Sequence, residues 1–95
     1  MKLNLCINQN NLYCLPECAE MVYERAIDGA VNREEVKDNL WASINDSLIY
    51  YDDQWELMRY YFTPAEADLD KAFEFLYNDL WNATDDVIEE VECAE

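Results

Sequence analysis

The sequence predicts a mostly α-helical fold of about four to five helices in a single domain, residues 1–95, and it allows a short β-strand at the N-terminus. Ninety-five residues are enough to bury one core. Hydrophobic residues form 52% of the chain, and they recur mainly at helical spacing. With one Gly and two Pro, the chain has little material for tight hairpins or flexible linkers.

The N-terminal segment, residues 1–15, has a strand-like pattern. Residues 3–7 read Leu-Asn-Leu-Cys-Ile, a two-residue alternation typical of a strand, and the polar residues 8–11 end it. A lone strand is not stable in water. We therefore expect it to pair with the C-terminal stretch or with a second copy of the chain.

Helix one is predicted over residues 16–28. Pro16 suits the first turn of a helix, where a missing N–H costs nothing, and Gly29 stands where a left-handed residue often ends a helix. The apolar residues between them recur at helical spacing: Ala19, Val22, Tyr23, Ala26 and Ile27.

Helix two is predicted to begin near residue 33, because Asn32 and Glu35 resemble a capping box. Its apolar residues recur at every fourth position: Val36, Leu40, Ile44 and Leu48. The polar run 45–47 leaves open whether this helix ends there and a third element follows. The apolar residues of that third element are Tyr51, Trp55, Met58 and Phe62.

The fourth helix has the strongest start signal in the chain, because residues 63–66 combine a Thr N-cap, a Pro at the first helical position and a Glu at the third. Its apolar residues carry it to about residue 82: Leu69, Ala72, Phe73, Leu76 and Leu80. Thr84 is predicted to cap a last short helix with Val87, Ile88 and Val91, and residues 92–95 form an acidic tail.

Charge limits the possible partners. The chain carries 22 Asp and Glu against six Lys and Arg, a net charge of -16. Such a surface repels phosphate backbones and anionic membrane leaflets, so we expect no direct binding to nucleic acid or membranes. The expected partner is a basic protein, and the most basic surfaces belong largely to proteins that bind nucleic acid. The N-terminus lacks a signal-peptide core, and no run is long enough to cross a membrane, which favours the cytoplasm.

The composition argues against enzymatic chemistry. There is no His, the commonest general base and metal ligand, and one Gly cannot form a phosphate-binding loop. We therefore expect no catalytic residues, no cofactor and no metal. The four cysteines lack zinc-site spacing and are expected as reduced thiols packed like small hydrophobic side chains, although in a secreted protein they would pair in one of three ways. They are Cys6, Cys14, Cys18 and Cys93.

Acidic residues form rows along the predicted helices, where positions three and four apart are surface neighbours. Too few Lys and Arg residues are interleaved to pair with these acidic residues. We therefore favour the interpretation that the rows imitate phosphates over the interpretation that they are merely solvated helix faces. A DNA strand carries one phosphate per ~3.4 Å, so several rows on one face, or a dimer, are needed to imitate a duplex. The rows are Glu17, Glu20 and Glu24; Glu34, Glu35 and Asp38; Asp52, Asp53 and Glu56; Glu66, Asp70 and Glu74; and Asp85, Asp86, Glu89 and Glu90.

Most Trp and Tyr side chains are expected in the core, because the negative surface repels the nucleic acid on whose bases they would otherwise stack. One or two of them are available for a dimer contact. The residues concerned are Trp41, Tyr50, Tyr51, Trp55, Tyr60, Tyr61, Tyr77 and Trp81.

Three segments resemble the Ocr antirestriction proteins of podoviruses. Residues 23–26 (Tyr-Glu-Arg-Ala) are followed by residues 40–53 (Leu-Trp-Ala-Ser-Ile-Asn-Asp-Ser-Leu-Ile-Tyr-Tyr-Asp-Asp) and later by residues 76–81 (Leu-Tyr-Asn-Asp-Leu-Trp). That family likewise has a Tyr-Glu helix, an Ala/Ile-rich helix ending in Asp, a Tyr-Tyr pair with an acidic residue, and later an Asp-Leu-Trp before an acidic helix. The first 15 residues have no clear counterpart in it.

The resemblance implies an all-helical homodimer that mimics DNA and occupies the DNA site of type I restriction-modification enzymes or of BREX defence systems. It implies that phosphates are represented by Asp46, Asp52, Asp53, Asp79, Asp85, Asp86, Glu89 and Glu90, and that Tyr50, Tyr51 and Trp81 are scaffold. The rows add Glu34, Glu35, Asp38 and Glu56 to the candidate partner-binding residues.

Three alternatives stay open. An anti-CRISPR protein that blocks DNA recognition by a CRISPR effector differs only in its target. A helical adaptor docks on a basic protein through a small apolar patch and uses its charge for solubility alone. A histone-type or cation chaperone tolerates scattered loss of charge and shows little shape selectivity.

Overall fold

The computed structural model describes residues 2–49 and 52–93. In chain order they form β1 (Lys2–Ile7), a 3₁₀ turn (Gln9–Leu12), α1 (Ala19–Ile27), α2 (Arg33–Ile49), α3 (Asp53–Tyr61), α4 (Leu69–Val87) and β2 (Ile88–Cys93). The predicted fold class is confirmed, since these residues are mostly helical, with four helices and one short two-stranded antiparallel sheet.

The N-terminal strand pairs with the C-terminal stretch, one of the two partners considered for it. β1 and β2 are antiparallel, with Leu5 opposite Glu90 and Ile7 opposite Ile88. Leu5 and Ile7 pack against the core, as their alternation in the sequence predicts. The backbone N–H of Asn8 also donates to the carbonyl of Val87 (2.7 Å) and ties the end of β1 to the end of α4.

The predicted last helix is wrong. Thr84 lies inside α4, where its hydroxyl donates to the carbonyl of Leu80 (2.6 Å), and residues 88–93 are extended because β1 satisfies their backbone hydrogen bonds. Of the predicted acidic tail, Glu92 and Cys93 belong to β2. Residues 94 and 95 lie outside the described residues.

α1 begins at Ala19, later than predicted, because the residues after Pro16 form a turn in which the Ala19 N–H donates to the Pro16 carbonyl (2.9 Å). Its end agrees with the prediction. Asp28 (φ -59°, ψ 118°) and Gly29 (φ 79°) form a type II turn. Gly29 provides the positive φ that this turn requires.

α2 starts where the capping pattern predicts. The side chain of Asn32 accepts from the Glu35 N–H (3.0 Å), and the Glu35 carboxylate accepts from the Val31 N–H (2.7 Å). The polar run 45–47 does not interrupt the helix, which continues to Ile49. Asn45 donates to the carbonyl of Trp41 one turn earlier (3.0 Å) and so bonds within the helix.

α3 buries a different residue from those predicted. Leu57 is fully buried, whereas Trp55 is 72% exposed. Met58 and Phe62 are half-buried against the core, and Tyr51 lies outside the described residues. The apolar spacing therefore located the helix but misplaced its most buried position.

The start signal at residues 63–66 forms a single turn and not a helix. The Glu66 N–H donates to the Thr63 carbonyl (2.9 Å), and the Thr63 hydroxyl donates to the Glu66 carboxylate (3.0 Å). α4 begins after Asp68, whose carboxylate accepts from the Lys71 N–H (3.2 Å). It runs to Val87, beyond the predicted end.

The core lies between α1, α2 and α4 and includes Leu57 of α3 and Ile88 of β2. The predicted apolar row of α2, from Val36 to Leu48, is fully buried. Tyr23 of α1 is also fully buried, and its hydroxyl donates to the carbonyl of Leu80 (2.6 Å). Burial raises the pKa of Tyr23 to about 12, so this hydroxyl remains a donor at physiological pH.

Ser47 generates a stability prediction. In the described part of the chain, its hydroxyl is the one buried side-chain polar atom that lacks a hydrogen-bond partner, and burying an unpaired polar group costs about 1 to 3 kcal/mol. We expect Ser47→Ala to raise the free energy of unfolding by about 1 kcal/mol, measured by urea denaturation.

Thr84→Val is the matched control, because it also removes one buried helical hydroxyl, but one that is bonded to Leu80. We expect it to lower the free energy of unfolding by about 1 kcal/mol. Equal destabilisation by both substitutions would show that the Ser47 hydroxyl has a partner in solution and that the expectation is wrong.

Candidate functional site

Four carboxylates meet where the start of α3 lies beside the turn before α1. Glu17 and Glu56 line one groove with Arg59, and the charges of Glu17 and Asp53 both act on Glu56. Asp52 and Glu56 line one shallow groove with Trp55 and Arg59. We call the four carboxylates the α3 cluster: Glu17, Asp52, Asp53 and Glu56.

Repulsion inside the α3 cluster changes the protonation of Glu56. The negative charge of Glu17 raises the pKa of Glu56 above its ordinary value, and desolvation, the hydrogen bond with Glu17 and the charge of Asp53 act in the same direction. Arg59 acts in the opposite direction. A site with this like-charge repulsion favours an added positive charge.

The cysteines only partly follow the expectation that they pack as small hydrophobic side chains. Cys18 is buried beside the α3 cluster, where burial and then the charge of Asp53 raise the pKa of its thiol to about 12. Cys6 and Cys14 are exposed free thiols; Cys6 is exposed because Leu5 and Ile7 occupy the inward face of β1. The Cys93 side chain lies outside the described residues.

A second acidic group surrounds the junction of α4 and β2. Lys37 Nζ lies 3.5 Å from Asp85 Oδ1, and the backbone N–H of Arg33 donates to the carboxylate of Glu90 (3.2 Å). The start of α2 is thereby attached to this junction. We call the four carboxylates of the junction the β2 cluster: Asp85, Asp86, Glu89 and Glu90, all of which are exposed.

The predicted row at the start of α2 lies beside the β2 cluster, on the same turns as Lys37. Glu34 and Asp38 are exposed. Glu35 is half-buried, and its carboxylate caps the helix through the Val31 N–H. Glu35 therefore has a structural role that the prediction of a partner contact did not include.

Asp46 and Asp79 belong to neither cluster. Asp46 is exposed on α2, about 12 Å along the helix axis from Asp38. Asp79 is half-buried and accepts a hydrogen bond from the hydroxyl of Tyr61. Burial and this bond raise the pKa of Tyr61. Asp79 thus helps to join α4 to α3.

The two clusters lie near opposite ends of α2, a 17-residue helix about 24 Å long. Arg33 connects its start to the β2 cluster, and its end leads into the α3 cluster. Apart from Asp46 and Asp79, the predicted acidic residues therefore form two groups on one framework. Glu17 completes the α3 cluster, yet the sequence shows it only as part of a charge row, because its approach to Glu56 depends on the tertiary fold.

The prediction that the aromatic residues lie in the core is wrong for Trp41, Trp55 and Tyr60, which are 48%, 72% and 50% exposed. Aliphatic side chains and Tyr23 fill the core instead. Tyr61, Tyr77 and Trp81 are half-buried and pack against the core. The other two aromatic residues of the predicted set, Tyr50 and Tyr51, lie outside the described residues.

Compared with models of known protein families, with curated proteins and with solved structures, the chain shows no significant match. In residues 2–49 and 52–93, no helix is long and apolar enough to cross a membrane. In the same residues, no three His, Cys, Asp or Glu side chains are grouped so as to hold a metal ion. A functional inference therefore depends on the acidic clusters and the exposed aromatic rings.

The raised pKa of Glu56 predicts how pH and salt affect stability. A carboxyl whose pKa is higher in the folded than in the unfolded state loses stability as the pH rises through the folded pKa. We therefore expect Glu56→Gln to raise the melting temperature at pH 7 in low salt. The gain should shrink as the pH falls toward the ordinary pKa of a Glu side chain, and also in about 1 M salt, where charges are screened.

Glu24→Gln is the control, because it removes one charge from an exposed Glu of α1 outside both clusters. It reports how much stability comes from lower net charge alone. Equal gains for both substitutions, measured by thermal unfolding, would contradict a specific repulsion between Glu17 and Glu56.

Proposed function

We propose that this protein is a stoichiometric DNA mimic that binds the DNA-binding site of a host defence protein and has no catalytic activity. The observation that carries the proposal is the α3 cluster, in which Glu17 and Glu56 line one groove although their charges repel. Phosphate-binding Lys and Arg side chains would relieve that repulsion and form charge-assisted hydrogen bonds with the same carboxylates.

The shape of the molecule supports this proposal. Its dimensions are 53 × 23 × 19 Å, an elongated body with a cross-section close to that of a DNA duplex. The long axis equals about 16 phosphate steps at ~3.4 Å each. A groove that accepts a DNA duplex is therefore wide enough to accept this molecule.

The rigidity of the framework also supports the proposal. The clusters lie near opposite ends of α2, a helix about 24 Å long, and the core packs this helix against α1 and α4. A preorganised set of charges loses less entropy on binding than a flexible polyanion does. The strong negative field also speeds the encounter with a basic groove.

The kind of target follows from the resemblance of residues 40–53 and 76–81 to Ocr antirestriction proteins. We propose a type I restriction-modification or BREX enzyme as the target, met in the cytoplasm of a host cell, and a homodimer as the binding form. A CRISPR effector is the alternative target. With either target, the proposed inhibition does not require this protein to bind a cofactor.

The proposal predicts competition with DNA. A labelled duplex bound to a purified type I restriction enzyme should be displaced by excess protein, and the inhibition should weaken as salt is raised, because the contacts are ionic. BREX and CRISPR effector complexes tested in parallel identify the target. The proposal fails if all of these enzymes bind duplex equally well with and without the protein.

A charge-neutral triple variant tests the α3 cluster. Asp52→Asn, Asp53→Asn and Glu56→Gln together should weaken inhibition at least about tenfold, because each carboxylate provides a charge-assisted hydrogen bond. The matched control neutralises three exposed carboxylates outside both clusters: Glu24→Gln, Asp28→Asn and Asp70→Asn.

The two triple variants distinguish the remaining readings. A DNA mimic loses affinity mainly in the α3-cluster variant. Equal weakening by both variants is the behaviour of a charge-only chaperone. Unchanged affinity in both is the behaviour of an adaptor that docks through an apolar patch.

A further inference from the structure

An aromatic surface lies where α2 and α4 pack side by side. The ring of Trp41 meets the ring of Tyr77 edge to face at 5.4 Å between centroids, and Tyr77 meets Trp81 at 5.8 Å. We call Trp41, Tyr77 and Trp81 the Trp41 surface. Trp41 remains 48% exposed, so these contacts leave about half of its indole in water.

One cation already lies on this surface. Lys37 Nζ is 5.4 Å from the ring centroid of Trp81, and the same ammonium pairs with Asp85 at 3.5 Å. A positive group held by a ring on one side and a carboxylate on the other is a cation–π arrangement reinforced by charge. The chain therefore shows within itself the kind of group that this surface accepts.

Exposed carboxylates also flank the outer part of the surface. Asp38 lies three residues before Trp41 on α2, and Glu74 lies three residues before Tyr77 on α4; both are exposed. Residues three apart on a helix are surface neighbours, about 5 to 6 Å between Cβ atoms. A group that stacks on Trp41 is thus within reach of a carboxylate from each helix.

We propose that the Trp41 surface binds an arginine side chain of the basic partner protein. The guanidinium is planar, stacks on aromatic faces and pairs with carboxylates in a fixed fork geometry, whereas the lysine ammonium is a strongly hydrated point charge. This inference rests on the proposed function, because a phosphate-binding groove is the source of the arginine. It adds a second type of contact to the carboxylate contacts of a DNA mimic.

Charge complementarity favours this occupant over a second copy of the chain. At the Trp41 surface itself, a second copy would bring its own bordering carboxylates against Asp38 and Glu74, which are exposed, and like charges repel. A basic segment meets attraction at the same place. Trp and Arg are also the residues that most often dominate the binding energy of protein interfaces.

Two synthetic peptides of equal charge test the inference without the natural partner: octa-arginine and octa-lysine. The wild-type protein should bind octa-arginine about two- to fivefold more tightly than octa-lysine, which corresponds to one exposed cation–π contact. Trp41→Ala should abolish this preference and leave the octa-lysine affinity within twofold. Phe75→Ala is the control, because Phe75 is also 48% exposed but stacks on Tyr61 at the α3 side of α4.

A second measurement is made on the wild-type protein and needs only conservative Trp→Phe variants, for assignment of the resonances. In the wild-type protein, octa-arginine should shift the indole N–H resonance of Trp41 more than that of Trp55, which is 72% exposed and lies by the α3 cluster. Trp41→Phe and Trp55→Phe spectra assign the two resonances. The inference is overturned if the wild type shows no preference for arginine, if Trp41→Ala keeps it, or if only Trp55 shifts.

These outcomes are independent of the DNA-competition assay. If the wild-type protein competes with DNA but shows no preference for octa-arginine, only the proposed arginine site at the Trp41 surface is refuted. If the wild-type protein prefers octa-arginine but does not compete with DNA, the DNA-mimic function is refuted and the arginine site stands.

Discussion

Tyr23 links α1 to α4 through a buried hydrogen bond to Leu80, and the acidic surface depends on the core around that link. A net charge of -16 acts against any compact state, so apolar burial in α1, α2 and α4 must outweigh the repulsion. The Leu80 carbonyl also accepts the hydroxyl of Thr84, so the buried hydroxyls of Tyr23 and Thr84 are both hydrogen-bonded to it. α4 is thereby held in one position against α1, and the carboxylates at the two ends of α2 keep a fixed separation.

The α3 cluster shows how a strongly acidic surface lowers the stability of the free protein. Glu17 and Glu56 repel each other, and Arg59 offsets the repulsion only in part. Functional sites often retain features of this kind, because activity and stability place different demands on the same residues. A cation from a partner turns the repulsion into attraction at the moment of binding. In the proposed function, lower stability of the free protein and higher affinity for a basic partner have one physical origin, the closeness of two carboxylates from separate segments of the chain.

Local patterns predicted those elements whose apolar face also fills the core. The spacing of Val36, Leu40, Ile44 and Leu48 located α2, and the turn at Gly29 followed from its need for a positive φ. Residues 63–66 carried an equally good local signal, yet they form only a turn, because the segment from Ala65 to Asp68 has no apolar row to bury. Local patterns assigned Val87, Ile88 and Val91 to a helix and left the C-terminal stretch as one of two possible partners of β1, since the strand conformation of β2 depends on pairing with β1 at the other end of the chain. The approach of Glu17 to Glu56 and the exposure of Trp41 likewise depend on tertiary packing.

Carboxylates and aromatic rings act over different distances, and the proposed function uses both. At about 0.1 M salt, charges are screened beyond roughly 10 Å, so the acidic clusters attract any basic surface but distinguish poorly among basic proteins. An aromatic ring acts only in contact, and its preference for a planar guanidinium is not screened in the same way. Lys37 already meets both kinds of group within one chain, because its ammonium lies over the ring of Trp81 and pairs with the carboxylate of Asp85. A surface with carboxylates alone selects for charge, whereas carboxylates beside Trp41 also select for the shape of the group that carries it. That difference separates imitation of a nucleic acid from mere negative charge.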